Sequence, residues 1–183
     1  AEILPHFAPR AGVPVLIVQH MPAFFTAQLA DRLTRLIGCE VREAVHGQAL
    51  GKQNVLIAPG GKHMEVVKDG EWGRIRLTEA PPENSCRPAV DVLFRTAASV
   101  WGSGTLGVVL TGMGRDGLAG SRAIVSSGGA VVVQDEFTSV VWGMPGEVAR
   151  AGLAEAILPL SQLGAEISLR LHRGKSAAVA AKA

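Results

Sequence analysis

Aromatic side chains are scarce in this 183-residue sequence, at 4% of residues. With no basic stripe interleaved among them, a nucleic-acid surface is not supported. Charge of either sign is also in short supply. Eighteen Lys and Arg residues against 16 Asp and Glu leave a formal net charge of +2, which implies no particular polyanionic or polycationic partner. Only two cysteines occur, Cys39 and Cys86, neither in a two-residue metal-type spacing. They make no disulfide framework and read as free thiols. The longest apolar runs, Val13–Val18 and Leu106–Leu110, are far short of the roughly 20 residues a membrane helix requires. Ala1–His6 lacks the basic start and apolar stretch of a signal peptide, so a cytoplasmic protein is expected.

What the sequence does have is hydrophobic content, 48% of residues, enough for one substantial core. That content alternates between two patterns. Val13–Val18 is a short β-branched run suited to a strand covered on both faces. Residues 26–37 then place Leu29, Leu33, Leu36 and Ile37 at helical spacing, with Gly38 beyond the end. Strands are expected at 41–45 and 54–58. Residues 64–77 alternate around Asp69-Gly70 and predict an inserted β-hairpin. Pro88 opens a helix with Asp91 and Arg95 toward solvent. Further units follow: a strand at 106–110, a helix at 118–125, a strand at 130–134, a short helix from Met144, a strand at 156–158 and a helix from Leu160 to Leu171. The fold class expected is α/β, a doubly wound, mostly parallel sheet with a β-hairpin inserted. From His172 the apolar spacing ends and a solvated tail is expected.

In such sheets ligands bind beyond the carboxyl ends of the strands. Two chemically capable residues lie at those exits: His20, two residues after Val18, and Asp116, 96 positions later in the glycine-rich loop Thr111–Gly117. An imidazole and a carboxylate there can serve as base and orienter of a nucleophilic triad. Each also has an ordinary structural reading, His20 as a capping or core residue and Asp116-Gly117 as a turn and helix N-cap. The Thr111–Gly117 loop lacks the ending of a Walker loop and the glycine spacing of a dinucleotide fingerprint, which disfavours nucleotide binding. His6, His46, His63 and His172 have no partners at metal-ligand spacing, and no metal or cofactor is expected. Ser85-Cys86 could offer His20 a nucleophile, but an N-cap role for Ser85 explains its position better. The backbone N–H groups around Met113 could hold a developing oxyanion.

Five blocks together resemble the catalytic domain of the chemotaxis protein-glutamate methylesterases, the CheB family. They are Val18-Gln19-His20-Met21-Pro22, the Ile57–Met64 segment Ile-Ala-Pro-Gly-Gly-Lys-His-Met, Arg87–Phe94, Thr111–Gly117 and Val141–Gly146, in the family's order across residues 1–168. The resemblance implies a Ser-His-Asp hydrolase that removes methyl groups from glutamate esters on chemoreceptor helices, and in some relatives deamidates receptor glutamines. It implies that His20 is the general base, Asp116 its orienting carboxylate and the Met113 backbone part of the oxyanion site. It also implies a serine in a turn between a first strand and first helix. Residues 1–7 resemble the end of that helix, so the strand and the serine are expected upstream of Ala1. Residues 1–168 would then form the catalytic domain and 169–183 the end of the last helix with a basic tail. The 183 residues alone would be inactive, and the edge of the Val13–Val18 strand would lack its neighbour. A phosphorylatable receiver domain is a further expectation. The competing reading is a non-catalytic receptor-binding module of the same fold.

Overall fold

The computed structural model describes residues 1–180, with side chains described through His172. Two single 3-10 turns, Leu4–His6 and Ala8–Arg10, replace the helix end expected at the start. They bury Ile3, Leu4, Phe7 and Ala8 against Leu33, Leu163 and Ile167. Then come β1 (Val15–Ile17), α1 (Ala23–Ile37), β2 (Val41–Glu43), β3 (Val55–Ile57), the pair β4 (His63–Val67) and β5 (Arg74–Thr78), and α2 (Val90–Trp101). The second half holds β6 (Leu106–Val109), α3 (Leu118–Ser126), β7 (Ala130–Gln134), α4 (Met144–Arg150), β8 (Ala156–Leu158) and α5 (Leu160–Ala180).

The class is α/β with mostly parallel strands, as the alternation predicts. The sheet is not continuous, however. Strands β1, β3 and β2 form one parallel sheet in that order, and β6, β7 and β8 form another. The expected hairpin, β4 with β5, is antiparallel and packs on α2, where Val66 N–H donates to Thr96 Oγ1 at 3.1 Å. Among the described residues β1 pairs only with β3, and β6 only with β7. Their two free edges line the same cavity of about 1810 Å³, together with Leu29 and Leu33 of α1 and Phe94 of α2. Free N–H and C=O groups along a central strand are open to pairing with another strand.

Three local expectations need correction. On α1 the buried stripe is Thr26, Ala30, Leu33 and Ile37, and Leu36 is exposed. The helix begins three residues earlier than its apolar spacing suggests, because extended Pro22 sets its start. Asp91, expected toward solvent, is buried at 2% exposure. Its carboxylate accepts the Gly120 N–H at 2.6 Å and the Asn84 Nδ2–H at 2.8 Å, which offsets the cost of burial. The α2–α3 approach is tight there, since a Cβ on Gly120 would overlap Phe94. Finally, the backbone from His172 to Ala180 continues α5 as helix, in keeping with its alanine content. Residues 181–183 of the expected tail lie outside the described residues.

Candidate active site

The exit of β1 leads through Gln19 to His20, and the exit of β6 leads through the Thr111–Gly117 loop to Asp116. The two meet: His20 Nε2 lies 2.7 Å from Asp116 Oδ2. Asp116 is 1% exposed, whereas the His20 side chain keeps 28% of its surface open to the cleft. Each Asp116 oxygen is further engaged. Oδ2 accepts the Val90 N–H at 2.6 Å; Oδ1 accepts N–H groups from Asp91 at 3.0 Å, Gly117 at 3.1 Å and Asn84 Nδ2 at 3.2 Å.

Two of these donors are the first N–H groups of α2, orphaned as at any helix start. Asp116 therefore caps α2, a helix distant in sequence, and not α3, which follows it. The cap of α3 comes in return from Asp91 through Gly120. Neither capping role expected from the sequence is seen: Ser85 makes no cap to α2, and Gly117 at the N-cap of α3 has no side chain to offer. Ser85 and Asn84 instead adopt positive φ, 63° and 52°, in a turn closed by backbone hydrogen bonds between Glu83 and Cys86. Few L-residues hold that conformation without support. Asn84 has it, because its amide bridges the Asp91 and Asp116 carboxylates.

Burial raises the Asp116 carboxyl, but the hydrogen bonds from His20 and from the Asp91 and Val90 N–H groups outweigh it and hold it below the ordinary carboxylate range. The carboxylate is thus ionised near neutrality and can only accept. An acceptor-only carboxylate requires a donor, so Nε2 is the protonated nitrogen in this contact. Asp91 goes the other way: burial raises its carboxyl, with the nearby Asp116 and Glu83 charges adding to the rise, against the Gly120 and Asn84 hydrogen bonds.

The loop at Met113 is fastened on both sides. Thr111 N–H donates to Gln134 Oε1 at 2.9 Å, Gly112 N–H to Val141 O at 3.0 Å, and Met144 N–H to Gly112 O at 2.8 Å. Gly143 passes so close that a Cβ there would lie 2.7 Å from Gly112 O. The Met113 side chain is exposed, and its N–H donates to no group among the described residues. Gln134 was not singled out in the sequence, where it looks like the polar end of a strand. It is fully buried and ties the two exit loops together, its Nε2 donating to Thr138 O at 2.7 Å.

Cys86, which the sequence offers with Ser85 as a possible partner of His20, does lie beside the dyad. Its Sγ, a His20 ring nitrogen and an Asp116 oxygen all lie within 4.8 Å of one another. Burial, and secondarily the Asp116 charge, raise the Cys86 thiol, so it is held protonated. The remaining histidines stay apart from this cluster. His63 is buried and structural, accepting the Ala89 N–H on Nδ1 at 3.2 Å while Nε2 faces Pro81 O at 3.1 Å.

The family model described as CheB methylesterase matches residues 1–167. A protein-glutamate methylesterase/protein-glutamine glutaminase of a Nocardioides species is 56% identical over 97% of this chain and 49% of its own length. A protein of the same description from Rhodopseudomonas palustris, of a group 2 operon, is 52% identical over 88% of this chain and 41% of its own. The chain spans about half the length of the curated relatives it matches. The crystal structure of the Thermotoga maritima CheB methylesterase catalytic domain superposes with a TM-score of 0.84 at 35% identity, covering 90% of this chain and 89% of that one. The chain belongs to the CheB methylesterase family.

Proposed function

We propose that this chain supplies the base half of a serine hydrolase that cleaves glutamate methyl esters on the cytoplasmic helices of chemoreceptors. The observation that carries the reading is the 2.7 Å contact between His20 Nε2 and Asp116 Oδ2 at the exits of β1 and β6. Asp116 fixes the tautomer and stabilises the imidazolium, and His20 Nδ1 is the base. The nucleophile comes from a further β-strand seated between β1 and β6, whose free edges line one cavity reaching His20 and Met113. A serine at the exit of that strand enters beside the dyad.

In the first half-reaction the serine hydroxyl gives its proton to His20 as its oxygen bonds to the ester carbonyl carbon. The resulting oxyanion is received by the Met113 N–H. Collapse breaks the carbon–oxygen bond, and methanol leaves with the proton from the imidazolium. Water, activated by the same histidine, then releases glutamate and restores the serine. A glutamine side chain undergoes the same steps with ammonia leaving, which agrees with the double name that the relatives carry. The length of those relatives leaves room for a receiver domain controlling access. None of the described helices is long and apolar enough to cross a membrane.

The test is methanol release from methylated receptor by the full-length protein. Release that is lost in His20→Ala supports the reading; receptor binding with no release favours a non-catalytic module.

A further inference from the structure

His20, Cys86 and Asp116 are brought together from the β1 exit, the turn before α2 and the loop before α3. Nitrogen, sulfur and carboxylate oxygen are the three donor types that hold zinc. We propose that these three side chains form a site for a thiophilic divalent cation of the Zn2+ type, and that the bound cation immobilises His20.

The donors are three, leaving a fourth position for water toward the cleft. They lie within 4.8 Å of one another, while a tetrahedral zinc holds such donors about 3.3 to 3.7 Å apart. Closing the site therefore asks for about 1 Å of movement. Rotation of the Cys86 side chain brings its sulfur in without disturbing the backbone, which the Glu83–Cys86 hydrogen bonds fix, while the His20 Nε2–Asp116 Oδ2 pair, at 2.7 Å, opens by about 0.6 Å to admit the ion. Charge balances, since a Cys86 thiolate and the Asp116 carboxylate together neutralise a divalent cation; the thiol proton goes to solvent as the metal–sulfur bond forms, and the proton on His20 Nε2 is replaced by one on Nδ1 as Nε2 takes the metal. Outer support is in place, because N–H groups of Val90, Asp91 and Gly117 and the Asn84 amide hold the Asp116 carboxylate from behind. Entry is open through a cleft of about 380 Å³ that His20 and Cys86 line beside Met21 and Ser85. A thiolate in the set selects Zn2+, Cd2+ or Co2+ over Mg2+ and Ca2+.

If His20 is the base proposed above, occupancy inhibits the esterase and a chelator restores it; that consequence rests on the proposed function, whereas binding itself does not. The full-length protein is titrated with Co2+ and the thiolate-to-cobalt charge-transfer absorption is recorded. The expected result is a band saturating at one ion per dyad, displaced by Zn2+, absent in Cys86→Ser and retained in Cys39→Ser. Zn2+ affinity of Cys86→Ser should fall at least about tenfold. In the unsubstituted protein the His20 ring resonances should shift on adding Zn2+. No band at saturating Co2+, a band that survives Cys86→Ser, or His20 resonances that do not move with Zn2+ would overturn the site, whatever the esterase assay gives.

Discussion

The tripeptide Val-Leu-Ile occurs twice, as β1 and as β3, and the two copies pair in register, Val15 with Val55, Leu16 with Leu56 and Ile17 with Ile57. In β3 the three residues are 3%, 1% and 0% exposed; in β1 all three are only half-buried. Identical side chains thus reach different burial because β3 has a strand on each side and β1 has one. The second sheet repeats the contrast. Val131, Val132 and Val133 of the doubly paired β7 are fully buried, while Leu106 and Val108 of β6 are not. Within residues 1–183 the doubly paired strands are the buried ones, while β1 leads to His20 and β6 to Asp116.

The largest expected effect separates these regions by activity. His20→Ala in the full-length protein should lower methanol release by at least about 10⁴-fold, with only a modest loss of stability, from the one hydrogen bond that the buried Asp116 carboxylate loses. A large loss of stability would blur the division between site and scaffold.

Next come paired truncations of the twin tripeptides. Leu56→Ala should cost about 2–5 kcal/mol by chemical denaturation, whether measured on residues 1–183 or on the full-length protein. Leu16→Ala should cost clearly less on residues 1–183 and approach the Leu56 value in the full-length protein, where a strand beside β1 completes its burial. Equal costs for Leu16→Ala in both forms would break the comparison.

Asp116→Asn tests the carboxylate that joins site to scaffold. It should destabilise by about 1–3 kcal/mol, since the amide caps α2 less well and cannot accept every donor. The pH dependence has a definite sign. A carboxyl held below its unfolded value stabilises the fold fully above the unfolded aspartate range, near pH 4, and this is lost as pH falls through the lower folded value. Stability of the wild type should therefore drop across that acid window, and Asp116→Asn should flatten the drop.

The smallest effect belongs to the loop clamp. Gln134→Leu leaves the Thr111 N–H without its acceptor and should reduce kcat several-fold with KM nearly unchanged, by loosening the Met113 N–H. A change in KM alone would argue against that role.

Much of this was legible in the sequence, and the failures have physical causes. The strands, the hairpin and the alternation follow from local periodicity, so they could be read one segment at a time. The pairing of His20 with Asp116 could be guessed because both sit at strand exits, where an α/β sheet gathers its loops. The crossed caps could not: Asp91 and Asp116 each serve the other's helix, a relation set by the α2–α3 approach at Gly120 and by nothing local. Asp91 was placed toward solvent because helical spacing alone cannot reveal a buried donor waiting for it. Gln134 escapes a sequence reading for the same reason, since it acts through partners on other elements.

The central claim is that His20 serves a serine carried on a strand between β1 and β6, and a fluorophosphonate serine-hydrolase reagent tests it most directly. Treated with the full-length protein and mapped by mass spectrometry, it should label one serine at the exit of a strand outside residues 1–183, and His20→Ala should abolish the labelling. Labelling of Ser85, or labelling that persists without His20, would contradict the claim.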